Sequence, residues 1–339
     1  MKRGFATIAC AIGFALLASA GAAQTLATVK ARGVINCGSN TGMAGYGIAD
    51  RQGNWTGFDV DFCRAVAAAI FDDPTKVKFI PTTGQNRFTA LQSGDVDVLN
   101  RNTTWTLARD TSLGLNFTGT TYYDGQGFIV RKSLKVASAL ELGDAAVCVS
   151  QGSTTELNLA DYFRANKMKV KTATFATIDE AVKAYEAGRC DAFTTDQSGL
   201  YAQRLQLAHP EEHIVLPEII SKEPLGPVVR HGDDQWFDIV KWVHFAMLSA
   251  EELGVTSKNL DEMLKSENPD IKRLLGTEGN YGEQLGLTKD WAFRIIKHVG
   301  NYGEVFERNI GETTPLKMKR GLNALWNKGG LHFAPPLGG

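Results

Sequence analysis

Apolar residues recur every fourth position through Gly57–Ile70, GFDVDFCRAVAAAI, where Phe62, Val66 and Ile70 share one stripe. The spacing predicts a strand end feeding a helix from Asp59 to about Phe71 that stops at Asp72-Asp73-Pro74. Asp59 and Asp61 place negative charge in its first turn, where the helix dipole favours it. Around it the pattern predicts strands at Gly33–Cys37, Lys76–Ile80 and Val96–Leu99, and a short helix at Asn86–Ser93 closed by Gly94. Together these form a βαβαβ unit.

The same unit recurs further on. Ala145–Ser150, Val170–Phe175 and Cys190–Thr194 read as strands. Ser153-x-x-Glu156 opens a helix through Ala165, and Thr177-x-x-Glu180 opens another, Ala181–Ala187, stopped by Gly188. Cys37 corresponds to Cys148, and Gly94-Asp95-Val96-Asp97 to Gly188-Arg189-Cys190-Asp191. The repeat predicts two α/β lobes, each a mostly parallel sheet flanked by helices. In such sheets ligands sit at the carboxyl ends of strands, so the cleft between the lobes is the expected site. The chain is expected to cross near Tyr122–Gly127 and return through Leu225–Arg230, after Glu223-Pro224. Lobe one then comprises residues 24–125 and 223–254, and lobe two residues 126–222. Residues 255–339 form a helical extension on lobe one, with helices at Leu260–Leu264, Ile271–Leu275, Lys289–Phe306 and Pro315–Asn327. Trp291, Phe293, Phe306 and Trp326 are expected to pack on lobe one, and Asp234–Ser249 to cap it with Phe237, Val240, Val243 and Met247.

A net charge of −1 over 339 residues gives no bulk attraction to nucleic acid or anionic membrane, so a discrete site must carry the function. Lys2 and Arg3, the apolar run Phe5–Ala20 and the small residues Gly21-Ala22-Ala23 have the three-part pattern of a secretory signal, residues 1–23. That run is too short for a membrane span, and Cys10 lies inside it rather than after the cleavage point, so no lipid anchor is expected. The reading is an exported, free, monomeric protein. Four cysteines remain after cleavage, and three pairings are possible in an oxidising compartment. Two fall in each half, which makes Cys37–Cys63 and Cys148–Cys190 the simplest arrangement, beside the alternative of four buried thiols. Their spacing fits no zinc pattern.

The polar stretch NRNTTWTLAR, Asn100–Arg109, leaves the third strand of lobe one, and Thr194-Thr195-Asp196-Gln197 leaves the corresponding strand of lobe two. Two facing strand ends thus offer a guanidinium and hydroxyls on one side and a carboxylate on the other. The GFDVDF stretch, LNRNTTWTLARD, YYDGQGF and the long C-terminal region resemble bacterial solute-binding proteins of family 3, the periplasmic receptors of polar amino-acid ABC transporters, and within it the general L-amino-acid binders.

The resemblance implies a type II periplasmic-binding-protein fold, L-amino acids as ligands, no cofactor, a periplasmic location and an inner-membrane ABC permease as partner. It implies that Arg109 grips the ligand α-carboxylate in a bidentate fork, helped by Thr104 and by Thr154 at a helix start. Asp196 would pair with the α-ammonium, and the Asn102 carbonyl would accept from it. Where cationic-amino-acid binders carry aromatic rings around the ligand side chain, this chain has Met43, with Tyr46 three residues later, and Gly84. Broad specificity follows, unless Gly84 admits Gln85 or Asn86 and favours polar side chains.

Two other readings are weaker. His209-Pro210-Glu211-Glu212-His213 fits H-x-x-E-H, but strand-like Ile214-Val215-Leu216-Pro217 follows where a helix is needed. A dehydratase acting on prephenate or arogenate on the same scaffold would need a general acid, whereas an ammonium would hold Asp196 ionised.

Overall fold

The computed structural model describes residues 24–40 and 42–338, so the signal expected over residues 1–23 lies outside the described residues. Two five-stranded sheets share one topology. The first runs Val77–Pro81, Ile35–Ser39, Val98–Leu99, Val228–Arg230, Leu115–Phe117. The second runs Lys171–Phe175, Ala146–Ser150, Ala192–Asp196, Gln126–Arg131, His213–Val215. In each, the first three strands are parallel and the fourth, which arrives across the interlobe connection, runs antiparallel. A two-stranded ribbon, Tyr122–Asp124 against Glu223–Leu225, carries both crossings. The expected repeat is present in the two sheets; the ribbon overlaps the expected outward stretch Tyr122–Gly127, but of the expected return stretch Leu225–Arg230 it contains only Leu225, and Val228–Arg230 is a strand of the first sheet.

The organising helix is Phe58–Phe71. Gly57 precedes it with φ +137°, and a Cβ there would stand 2.2 Å from the Tyr46 carbonyl oxygen, so only glycine admits this entry. Disulfides Cys37–Cys63 and Cys148–Cys190 form, each tying the second strand of one sheet to a neighbouring element, the first to the helix Phe58–Phe71 and the second to the residues entering the strand Ala192–Asp196. Thr177 and Glu180 make the reciprocal capping box. At Ser153 only half of it forms: Ser153 accepts from the Glu156 N–H, but Glu156 turns to the Gly152 N–H at 2.9 Å.

The C-terminal region departs from the sequence pattern in two places. The helix expected over Lys289–Phe306 is two helices, Trp291–His298 and Tyr302–Asn309. Gly300 breaks it at φ +93°, and Asn301 restarts it in a capping box with Glu304. Pro315–Asn327 is not a helix: Lys317 and Gly321 take positive φ, and only two short 3-10 turns form, Gly321–Asn323 and Trp326–Lys328. Packing decides this, because an extended path lets Leu316 and Met318 reach the core and lets Asn323 pair both amide groups with the Tyr123 main chain. Trp291 and Phe306 are buried in the core shared with the first sheet, and Phe293 packs against it; Trp326 instead is half-exposed against Phe333. Among the described residues, no helix is long and apolar enough to cross a membrane.

Candidate functional site

The parallel strands of the two sheets point their carboxyl ends at one cavity between the lobes. Lobe one lines it with Asn40, Met43, Gly84, Arg87, Arg101, Asn102 and Thr104, and lobe two with Ser153, Thr154, Thr195, Asp196 and Gly199. Asn102 sits in the left-handed region at φ +49°, a conformation asparagine tolerates better than most residues. Its N–H donates to Asp59 Oδ2 at 3.1 Å and its side-chain oxygen accepts from Asn40 Nδ2 at 3.1 Å. Asp196 ends the strand Ala192–Asp196 and opens the helix Gln197–Arg204. Its Oδ1 is buried and has no hydrogen-bond partner among the described residues, and neither do Arg87 Nε, Arg101 Nε or Asn102 Nδ2. Buried polar groups are costly when unpaired, so four around one cavity mark a place where a polar ligand would be held.

Between these groups Glu223, on the crossing ribbon and 1% exposed, forms a saturated knot. Oε2 accepts from the Thr104 and Thr154 hydroxyls at 2.6 and 2.9 Å, and Oε1 from Asn158 Nδ2 and the Ser221 hydroxyl at 2.7 and 2.6 Å. One carboxylate thus ties Thr104 in lobe one to Thr154 and Asn158 in lobe two.

Burial dominates the electrostatics. It raises the Asp196 carboxyl well above its ordinary value, reinforced by Asp124 and Glu223 and opposed by Arg87 and Arg109. Burial pushes Asp59 up to about 7, against the Asn102 N–H and Arg101, and Asp124 up to about 6. The three guanidiniums are pulled the other way: Arg101 to about 10, and Arg87 and Arg109 below their ordinary value, again chiefly by burial. A pocket of opposed, desolvated charges suits a ligand that carries both signs.

The sequence pattern of bacterial extracellular solute-binding proteins, family 3, matches residues 35–259. The chain belongs to that family. This family 3 chain is 63% identical to the general L-amino acid-binding periplasmic protein AapJ of Rhizobium johnstonii, over 97% of this chain and 98% of that one. It is 55% identical to the glutamate/glutamine/aspartate/asparagine-binding protein BztA of Rhodobacter capsulatus, over 95% of this chain and 96% of that one. A periplasmic binding protein from Brucella ovis, solved with glutathione bound, superposes with a TM-score of 0.91 at 61% identity, covering 93% of this chain and 99% of that one. These relatives are receptors, and the chain is a binding protein rather than an enzyme; none of them supports a dehydratase.

Against this family background the expected site residues divide. Met43, Asn102, Thr104, Thr154 and Asp196 line the cavity. Arg109 is buried directly behind it: Nη1 donates to the Thr104 carbonyl at 2.9 Å, and Nε and Nη2 make no hydrogen bond among the described residues. Tyr46 is not in the cavity. It is fully buried against Phe58 and Tyr122, with its hydroxyl on Met318 Sδ, because the turn at Gly45 and Gly47 directs it into the core. Gln85 and Asn86 are exposed, Asn86 capping its own turn with Thr83; they do not enter through Gly84. A Cβ on Gly84 would lie 2.8 Å from the Gln151 carbonyl of the facing lobe, so the glycine serves the close approach of the lobes. His213 is buried on the Tyr185 hydroxyl while His209 is exposed, so the H-x-x-E-H histidines do not share a site. Sequence reasoning missed Arg87, Arg101 and Glu223. Arg101 stands inside the stretch already singled out, and Glu223 beside the expected crossing; only the fold turns them toward the cleft.

Proposed function

We propose that this protein is the periplasmic receptor of an ABC importer for L-amino acids, working as a monomer and delivering its ligand to an inner-membrane permease. Arg109, with the main-chain N–H groups of Thr104 and Thr154, takes the α-carboxylate, and Asp196, with the Asn102 carbonyl, takes the α-ammonium. The observation that carries this reading is the buried, unpartnered Asp196 Oδ1 in a cavity lined from the facing lobe by cationic and hydroxyl groups. The names of the relatives, among them a general L-amino acid binder and a glutamate/glutamine/aspartate/asparagine binder, support the ligand class and the location. Met43 and Gly84 leave little side-chain machinery to select one amino acid, which supports broad specificity. The lobes close about the ribbon of Tyr122–Asp124 and Glu223–Leu225, and the ligand favours closure by the contacts it makes to both lobes at once.

Calorimetry on refolded, ligand-stripped protein tests this. Several L-amino acids bind the wild type, and Arg109→Ala weakens them by about 100-fold or more through loss of a charge-assisted fork. Wild-type affinity in that variant, or no response to any L-amino acid in the parent, overturns the assignment.

A further inference from the structure

Opening the cleft must part Thr104 from Thr154, and the group that joins them is the buried carboxylate of Glu223. Its four hydrogen bonds, at 2.6–2.9 Å, use every lone-pair direction it has. Thr104 belongs to lobe one, Thr154 and Asn158 stand on the helix Thr154–Ala165 of lobe two, and Ser221 lies two residues before Glu223 on the connection itself. The Thr104 and Thr154 hydroxyls are 3.3 Å apart, but both protons go to Glu223, so the carboxylate rather than their own contact holds them together. Elsewhere the lobes meet at longer range, through Gln203 Nε2 on the Gly42 carbonyl and the Ser198 N–H on Asp124 Oδ2, both at 3.3 Å. Hydrogen bonds to a buried charge are strong and stripping that charge of donors is costly, so this knot sets much of what it takes to part the lobes.

We propose that Glu223 is a positioning residue that latches the two lobes. It draws Thr104 of lobe one and Thr154 and Asn158 of lobe two onto one carboxylate, holds a share of the unliganded protein closed, and so keeps the Thr104 and Thr154 main-chain N–H groups in place for the ligand. Glu223 itself does not line the cavity. When ligand is held by the closed form, apparent affinity scales with the fraction already closed, so the latch tightens every ligand by one factor, whatever its side chain. This rests on the lobe closure proposed above, and the two fail separately: the receptor reading fails if no L-amino acid binds, and the latch fails if the shape of the unliganded protein is indifferent to Glu223 and Asn158.

The test compares the ligand-stripped mature chain with its Asn158→Ala and Glu223→Gln variants. Asn158→Ala removes one lobe-two donor from a helix and leaves the charge and the cavity wall intact, whereas Glu223→Gln keeps the shape but sets an amide NH2 against hydroxyl and amide donors. By small-angle X-ray scattering both unliganded variants have a larger radius of gyration than unliganded wild type, and saturating L-glutamine brings all three to one value. By calorimetry both bind L-alanine, L-glutamine and L-leucine more weakly, each by one factor common to the three ligands, about 10-fold or more for Glu223→Gln. Equal unliganded radii overturn the latch, as does a loss that differs between ligands. Tighter binding in Glu223→Gln overturns it too, because that is the mark of a carboxylate that only competes with the ligand for the Arg109 charge. If Glu223→Gln gives no cooperative melt, Asn158→Ala decides by the same readings.

Discussion

The carboxylate of Glu223 takes the hydroxyl protons of Thr104 and Thr154, so those side chains show lone pairs, not donors, to anything else while the knot stands. A ligand carboxylate beside them must draw its hydrogen bonds from Arg109 and from main-chain N–H groups at the start of the helix Thr154–Ala165. Asp196 carries the other half of the proposed site. Burial and two neighbouring carboxylates raise its pKa, and an ammonium placed against it brings the pKa down. Ligand binding therefore releases protons, and affinity rises with pH as Asp196 ionises. Calorimetry in buffers of different ionisation heat measures that release; no dependence on buffer contradicts the pairing. Asp196→Asn removes both the release and the pH dependence, and weakens binding by about 10-fold or more.

Among the elements, the helix Phe58–Phe71 joins fold to site: its first turn supplies Asp59 beneath Asn102, and Asp61 anchors Arg308 and Asn309 of the C-terminal region at 2.8 and 2.7 Å. Its entry depends on Gly57. Gly57→Ala meets both a conformation reserved for glycine and a backbone contact at 2.2 Å, so it costs about 3 kcal/mol or more, read as a lowered denaturation midpoint. The capped helices and glycine stops follow short-range rules and were readable. The split at Gly300-Asn301 was missed, because the apolar period runs on through it, although its signal is local: Asn301-x-x-Glu304 is a capping signature. The non-helical path of residues 315–327 was not, because Leu316 and Met318 are drawn to a core that no local spacing reveals.

At the scale of the molecule, the C-terminal region is fastened over lobe one and over the crossing ribbon: Asn323 on Tyr123, the Tyr302 hydroxyl on the Thr121 carbonyl, and His332 beside His244 with ring centroids 5.6 Å apart. Burial holds both imidazoles neutral, lowering His244 to about 3 and His332 to about 2, with the neighbouring charges opposing protonation further at His332. Their folded pKa values lie below the unfolded value of about 6.5, so the unfolded chain binds more protons and stability falls as pH drops below that value. Each ring costs about 2–3 kcal/mol by about pH 4.5. His244→Phe, which also removes two unpartnered ring nitrogens, flattens that acid slope in denaturant melts from pH 7 to 4.5; an unchanged slope refutes it.

Sequence alone determined the repeat of two α/β units, which rests on periodicity and capping chemistry; the two disulfides are the simplest of the three pairings it allowed, and the resemblance to the family supplied five of the cavity-facing residues, Met43, Asn102, Thr104, Thr154 and Asp196. The tertiary structure decided the rest. Tyr46 went to the core because its turn faces inward, and Arg87, Arg101 and Glu223 came to the cleft because residues far apart in the chain meet only when the two sheets face each other. Burial among those partners, which no spacing encodes, sets the charges of Asp59, Asp124 and Asp196.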